Sequence, residues 1–429
     1  MVQFLSSRLV REGGWVAVGQ ILGAIAALVS TRIMTELLAP DQFGQLTLLV
    51  GAGALALGLV SNPRLQAVIR YYPDWSTSER VNVLRATAKQ LIYRLVFVTA
   101  IVLAAGGAAT AGVFIQPWYT GILIAALLLV DTRRVFELAF LNAARRQRPA
   151  AMVQLADAWS RPLLAIASVL VFGHTAEAAL LGYVMGSALV LFAMRLSTPL
   201  DDTAADSLVR SLPVDSDRTA LALAIKRYAL PLAPLVVFGW LSGMGDRYAI
   251  AALLGMDDVG LYAAAYGLAS RPFLMLSAVI EQTLRPVLQD AIAKGETSSI
   301  RSVKRRMIQL SVLGSVCGVF CFIALSDFVA HLFLAKEYRS TATMMPWIAL
   351  GYAFLTVSSM YSRFCYALDA TRYVLLLTVA ASTVGLAILV PAALMYGLMG
   401  AVAAVPIRFA VELILSAFFA RRAERSHAK

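Results

Sequence analysis

Charge is what this sequence has least of. Of 429 residues only 14% are charged, against 60% hydrophobic, and the mean hydropathy is +0.75. A soluble domain carries about a quarter charged residues. A water-soluble fold is therefore excluded, and a polytopic membrane protein is expected. Acidic residues are the scarcer sign, 25 against 37 basic, for a net charge of +12. Cysteine and histidine are nearly missing, three of each. That excludes a disulfide framework. Cys317 and Cys321 share a helix face, but no histidine lies nearby in the span to complete a metal site, so they and Cys365 are expected to be small packing residues. His174 and His331 carry no motif. A phosphate-cradling glycine loop, a zinc-protease motif and a Ser-His-Asp spacing are all lacking. Catalytic residues, metals and cofactors, and ATP hydrolysis on this chain, are not expected.

What is present is a succession of apolar runs. Twelve can be marked: 13–35, 44–68, 91–115, 118–141, 151–172, 177–196, 225–254, 259–284, 308–333, 344–367, 373–396 and 399–420. Without barrel-like alternation, each must be a helix, because lipid offers no partner to an open backbone. The first, "WVAVGQILGAIAALVS", follows Arg8 and Arg11 as a signal peptide would. It also takes part in an internal repeat, so it is expected to be retained.

Basic residues fall on alternate loops. One side holds Arg8/Arg11, Arg70/Arg80/Arg85/Lys89, Arg145/Arg146/Arg148, Arg195/Arg210/Arg218, Lys294/Arg301/Lys304/Arg305/Arg306, Arg372 and Arg421/Arg422/Arg425/Lys429. The other side has only Lys336 and Arg339. This places both termini in the cytoplasm and accounts for the net charge without nucleic acid.

The longest polar stretch, 197–219, falls near mid-chain. It predicts a six-helix half at 1–196, a cytoplasmic linker at 197–222 and a second half at 223–429. The halves repeat. "LLAPDQFGQLTLLVG" (37–51) aligns with "LLGMDDVGLYAAAYG" (253–267), matching Asp41 with Asp257, Gly44 with Gly260 and Gly51 with Gly267. The same shift sets Gly23 on Gly239 and Arg85 on Arg301. The expected fold is an all-α integral membrane protein of about 12 transmembrane helices. They would form two six-helix bundles, related by a pseudo-two-fold along the membrane normal around a central cavity. Gly19/Gly23 and Gly239/Gly243 have GxxxG spacing, read as close helix packing, with hinges as the alternative.

Charges inside the runs carry the functional signal. Each costs roughly 2.5–3.5 kcal/mol at the bilayer centre, so these side chains must face protein or water. Arg32 and Glu36, Arg133 and Glu137, Asp157 and Arg161, and Arg408 and Glu412 are each four apart and can pair along a helix. Arg133, Arg134 and Arg363 lie toward cytoplasmic helix ends, where snorkelling is cheap. Arg64, Arg247 and Arg271 have no carboxylate three or four residues away. Arg271 is mid-span in "GLASRPFLML", followed by Pro272, which frees the Leu268 carbonyl. Arg161-Pro162 repeats the device. The combination predicts a kinked helix aiming a fixed cation into a wet cavity; pairing with Asp246 or Asp131 is the alternative. A guanidinium there suits a phosphate. The basic segment 284–310 would either contact anionic headgroups or be a plain solvated loop.

"LVSTRIMTELLAPDQFGQLTLL" and "GDRYAIAALLGMDDVGLYAAAYGLA" resemble the polysaccharide transporter (Wzx-type oligosaccharide flippase) family of the multidrug/oligosaccharidyl-lipid/polysaccharide (MOP) exporter superfamily. The resemblance rests on Arg32, Pro40, Phe43-Gly44, Asp246-Arg247 and Gly260-Leu261-Tyr262 and covers essentially the full chain. It implies a bacterial inner-membrane flippase working by alternating access. The cargo would be an undecaprenyl-pyrophosphate-linked oligosaccharide for O-antigen, capsule or exopolysaccharide. The expected substrate-binding residues are Arg271, Arg64, Arg247, Arg32 and Arg161, of which Arg32 and Arg247 follow the family pattern. Asp246, Asp131, Arg408 and Glu412 are expected in coupling or structural ion pairs. Expected partners are membrane lipids, a coupling H+ or Na+, and a polysaccharide polymerase or glycosyltransferase, around a monomeric chain. The alternatives are a lipid II flippase or multidrug antiporter of the same superfamily, or a polysaccharide polymerase or ligase. Lipid II flippases commonly carry two more spans, drug antiporters favour acidic cavities, and polymerases need a large outer loop that this chain lacks.

Overall fold

A computed structural model describes residues 19, 22–75, 78–110, 117–197, 216–368 and 370–427. Arg8, Arg11 and the start of the first span lie outside the described residues. So does most of the expected 197–222 linker, including Arg210. Among the described residues every regular element is helical. The helices are α1 (22–37), α2 (Pro40–Val60), α3 (Asn62–Tyr71), α4 (Ser78–Thr110), α5 (Thr120–Ala143), α6 (Gln147–Phe172) and α7 (Ala176–Ser197). There follow α8 (Ser216–Ala229), α9 (Ala233–Leu253), α10 (Met256–Ala293), α11 (Thr297–Phe333) and α12 (Met345–Ala367). Thr371–His427 is hydrogen-bonded as one helix, but Gly397 breaks it with φ 59° and ψ −147°. Positive φ suits glycine, and Gly400 is thereby brought against the Ala392 carbonyl. The two arms, 371–396 and 398–427, are α13 and α14.

Eight of these stretches are long and apolar enough to cross a membrane by length and composition. The last of them, Arg372–Arg425, contains both arms around Gly397. The remaining expected spans are α1, α5 and α12. Helix α5 is interrupted by Asp131, Arg133, Arg134 and Glu137, and α12 is diluted by Tyr352, Thr356, Ser358 and Ser359. These two helices are polar because they sit inside the bundles, where side chains find partners. The chain is thus an all-helical, multi-pass membrane protein.

Two compact units form. Unit 1 takes the residues up to Ser30 and Leu48–Val237; unit 2 takes Thr31–Thr47 and Phe238–Lys429. In unit 1, buried Leu65, Val68, Leu84, Ile92, Val96 and Phe136 join α3, α4 and α5 into one apolar cluster, closed by Leu221 and Ile225 of α8. Helices α6 and α7 approach to backbone contact at Gly182 and Gly186. A Cβ on Gly182 would stand 2.3 Å from the Leu164 carbonyl oxygen, and one on Gly186 2.6 Å from Arg161 Cα. Small residues four apart allow this approach.

In unit 2, Gly314 and Gly318 of α11 receive the side chains of Leu276 and Phe273 from α10. By contrast, among the described residues a Cβ on Gly19, Gly239 or Gly243 would meet nothing within 4 Å, and one on Gly23 only Ala158 Cβ at 3.8 Å. The close-packing glycines are therefore not the pairs singled out by spacing. Spacing marks a narrow face but not whether a neighbour lies against it. Cys365 is buried, whereas Cys317 and Cys321 are exposed on α11, which corrects the packing role expected of them.

The α1–α2 turn belongs to unit 2, and its contacts are backbone-close. A Cβ on Gly44 would meet the Met256 carbonyl oxygen at 2.3 Å and the Gly260 nitrogen at 2.9 Å. One on Gly260 would meet the Pro40 carbonyl oxygen at 1.9 Å. Pro40 and Met256, like Gly44 and Gly260, are equivalent under the repeat. The contact is therefore reciprocal, as at a local two-fold. Beside it, Tyr338 donates its hydroxyl to the Leu38 carbonyl at 2.7 Å, and the Ala335 N–H donates to Thr35 Oγ1 at 3.2 Å. Phe43 packs edge-on to the Tyr338 ring.

Burial, with Glu337, Asp41 and Asp257 nearby, pushes the Tyr338 phenol well above its usual pKa. The neutral phenol thus contributes stability below about pH 10, and that contribution is lost as pH rises further. Tyr338→Phe strands the Leu38 carbonyl. It should lower unfolding free energy at neutral pH by about 1–3 kcal/mol. Melting of the purified protein from pH 7 to strongly alkaline checks this: the deficit should shrink once wild-type Tyr338 ionises.

Candidate functional site

Unit 1 gathers seven charged side chains into two groups across α4, α5 and α6, while Glu177 is buried separately on α7. On α5, Asp131 and Arg134 are one turn apart; on α6, Asp157 and Arg161 are likewise. Asp131 contacts Arg161 and, at 3.4 Å, Arg134. Asp157 contacts Arg161 at 2.9 Å and Arg134 at 3.1 Å. Each carboxylate thus touches both arginines, and the four side chains close a ring of alternating sign. The same-helix Asp157–Arg161 pair is as expected; the links between helices are not readable from helical spacing. One turn on, Glu137 takes Arg133 at 3.0 Å and Arg85 of α4. Arg85 also lies over the rings of Phe136 and Phe140. Arg133 and Arg134 are buried rather than snorkelling, since these carboxylates neutralise them in place. Among the described residues these two groups bring together four arginines and three carboxylates.

Unit 2 holds a different arrangement. Asp246 and Arg247 are adjacent on α9, where neighbours do not normally face one another. Here Arg247 Nη1 donates to Asp246 Oδ1 at 3.0 Å and to the Gly243 carbonyl at 2.9 Å. Tyr262 donates its hydroxyl to Asp246 Oδ2 at 2.7 Å. The Arg247 guanidinium lies 4.3 Å from the Tyr266 ring centre. Tyr266 packs on Tyr352, and Tyr352 on Phe409, over which Arg408 lies. A chain of rings therefore connects Arg247 to Arg408. Arg408 itself turns to the carbonyl and hydroxyl of Ser242. Glu412 accepts a long hydrogen bond from Ser358 at 3.5 Å. The Tyr262–Tyr266–Tyr352 cluster was not singled out in the sequence. The only available signal was the Tyr262/Tyr266 spacing on one helix face.

The other singled-out residues stand apart. Arg64 follows the break between α2 and α3, and its Nη1 donates to the Val60 carbonyl at 2.6 Å. The guanidinium thereby satisfies an acceptor that the broken helix leaves open. Arg32 pairs with Glu36 at 2.6 Å, half-exposed. Arg271 is half-buried in the middle of α10, which runs on through Pro272 and Pro286. Asp246 contacts Arg247 and Tyr262, and Asp131 contacts Arg134 and Arg161. Among the described residues no group of histidines, cysteines and carboxylates could hold a metal ion.

The fold is shared with solved transporters. An inward-facing multidrug-resistance transporter of the MATE family of the MOP superfamily superposes with TM-score 0.73 at 13% identity, over 96% of this chain and 99% of that one. Lipid II flippase MurJ, in an inward closed conformation, gives TM-score 0.70 at 13% identity, over 96% and 87%. A MOP-superfamily transporter from Pyrococcus furiosus, described as having a binding pocket of reversed polarity, gives 0.67 at 14%, over 98% and 96%. No curated protein sequence matches the chain. Residues 9–292 match the sequence profile of the family described as polysaccharide biosynthesis protein. With the fold of a MOP-superfamily transporter and that profile over about two thirds of its length, the chain belongs to the polysaccharide biosynthesis protein family.

Proposed function

We propose that this protein is a flippase for a polyprenyl-pyrophosphate-linked oligosaccharide repeat unit. It would carry the unit from the cytoplasmic to the periplasmic leaflet of a bacterial inner membrane, for O-antigen, capsule or exopolysaccharide synthesis. The observation that carries this reading is the gathering of arginines across α4–α6 and at Arg271, in a member of a polysaccharide family. Among the described residues the α4–α6 clusters hold four arginines, Arg85, Arg133, Arg134 and Arg161. Arg271 adds a further mid-membrane cation. A guanidinium keeps its charge and grips phosphate through paired hydrogen bonds. A drug cation would call for the opposite sign. The halves 1–196 and 223–429 would alternate access, coupled to H+ or Na+, with Asp131, Asp246, Arg408 and Glu412 as the ion-pair residues of that coupling. The chain would act as a monomer, supplying a polymerase or glycosyltransferase pathway and catalysing no covalent step.

The test is an inventory of lipid-linked oligosaccharides, with leaflet sidedness, in cells lacking the protein. Complete single units should accumulate on the cytoplasmic leaflet. Accumulation on the periplasmic leaflet would overturn the reading in favour of a polymerase or ligase.

Within this reading Arg271 contacts the pyrophosphate. Arg271→Ala should abolish translocation while the purified protein melts as wild type; normal export by this variant would remove Arg271 from the site. Arg271→Lys should keep part of the activity if point charge suffices, and lose most of it if the paired hydrogen bonds matter.

A further inference from the structure

A cavity of about 320 Å³ opens at the arginine- and lysine-rich end of unit 2, between the last turns of α10 and α12 and the first half of α11. Its floor is apolar and buried, from Leu288 and Met307. Its rim is polar and exposed, from Arg285, Gln289, Arg363 and Tyr366. Glu281, Arg285 and Gln289 follow one another at four-residue steps along one face of α10. The Glu281 carboxylate takes both arginines, Arg285 Nη1 at 3.3 Å on one oxygen and Arg363 Nε at 3.0 Å on the other. It is the less exposed member, 17% against 57% and 44% for the two arginines.

The carboxylate therefore braces two guanidinium groups from behind. A guanidinium has five N–H donors. Each of these two spends one on Glu281, and the rest of each fork remains for a ligand at the rim. The Arg363 guanidinium also lies 6.0 Å from the Tyr366 ring centre, which limits its swing. Two braced, parallel-acting forks suit the tetrahedral oxygens of a phosphate. The triad carries one net positive charge, which a phosphodiester monoanion neutralises and a doubly charged pyrophosphate exceeds. The level is that of the headgroups, because the basic residues of this end sit in the same turns, and basic pockets between membrane helices at that level take lipid headgroups. The buried Leu288 and Met307 give a dry seat for the first carbons attached to that headgroup.

We propose that Arg285 and Arg363, held by Glu281, form a binding site for the phosphodiester of an anionic glycerophospholipid. Gln289 and Tyr366 stand at the rim to hydrogen-bond the headgroup hydroxyls. Glu281 is the positioning residue. The proposal does not rest on the flippase reading.

Native mass spectrometry of the full chain, released from phosphatidylcholine nanodiscs containing a minor fraction of phosphatidylglycerol, tests this. Wild type should retain phosphatidylglycerol in preference to phosphatidylcholine. The double variant Arg285→Ala/Arg363→Ala should reduce the retained fraction by about tenfold or more. Arg285→Lys/Arg363→Lys keeps the charge without the forks and should fall between. Glu281→Gln raises the net charge yet should weaken retention, because the forks lose their brace; a purely electrostatic patch would bind more. Equal retention by wild type and the double alanine variant would overturn the site. Displacement by farnesyl pyrophosphate but not by excess phosphatidylglycerol would overturn the phosphodiester assignment, and displacement by inorganic phosphate alone would overturn the lipid assignment. The melting temperature of each variant in pure phosphatidylcholine should match wild type, so that a loss is read as lost binding.

Discussion

Arg161→Met should be among the most damaging single changes in unit 1. It keeps most of the side-chain volume, so packing against Gly186 is largely preserved and the effect reports charge. Asp131 and Asp157 would then share Arg134 alone, leaving one buried carboxylate without compensation. Breaking a buried pair by removing one partner costs about 3–5 kcal/mol. Asp157→Asn in the same chain restores neutrality in the ring. The double variant should therefore recover a large part of the loss, an interaction of about 1–3 kcal/mol in the cycle. Thermal unfolding of wild type, both single variants and the double variant measures it. Simple additivity would show that the four groups do not act as a ring.

Gly260→Ala should cost nearly as much for an unrelated reason. The new Cβ would stand 1.9 Å from the Pro40 carbonyl oxygen and 2.6 Å from its carbon. Both are backbone atoms, so no side chain can swing aside, and the α1–α2 turn must lift off α10. Overpacking of this kind costs about 1–3 kcal/mol or more. Gly44→Ala should behave alike, because it meets the Met256 carbonyl at 2.3 Å in the reciprocal position. The double variant should cost less than the sum, since one displacement relieves both clashes. Gly239→Ala and Gly243→Ala serve as controls. Among the described residues nothing lies within 4 Å of their added methyl groups, and alanine favours the helix, so neither should lower the melting temperature. If Gly260→Ala melts with these controls, the tight contact is not maintained.

What could be read in the sequence was whatever a single helix or a single alignment encodes. The apolar runs gave the spans, because lipid enforces an apolar exterior on each helix alone. Of the four same-helix pairs expected from the rise of one helical turn, Arg32–Glu36, Arg133–Glu137 and Asp157–Arg161 are made, whereas Arg408 turns to Ser242 and Glu412 to Ser358. Partners on other helices were not legible. Arg161 reaches Asp131 across α5 and α6, Arg408 reaches Ser242 across α14 and α9, and Glu137 gathers Arg85 from α4. Spacing cannot show these, because it says nothing about which helices become neighbours. The same limit explains the glycines: Gly182/Gly186 and Gly239/Gly243 have identical spacing, and among the described residues only the first pair is in backbone contact with a neighbouring helix. Asp246 and Arg247 failed differently. Adjacent residues point apart on a helix, yet the Arg247 side chain is long enough to fold back onto its neighbour.

The placement of Thr31–Thr47 in unit 2 bears on biosynthesis. A ribosome makes this turn more than two hundred residues before Gly260 and almost three hundred before Tyr338. For most of translation, Gly44, the Leu38 carbonyl and Thr35 Oγ1 have been made and inserted while the groups they will contact do not yet exist. Unit 2 cannot be completed from its own stretch of messenger alone, since its outermost contacts belong to a hairpin already in the membrane. A nascent chain halted anywhere before α10 therefore carries this turn with its backbone partners still unmade.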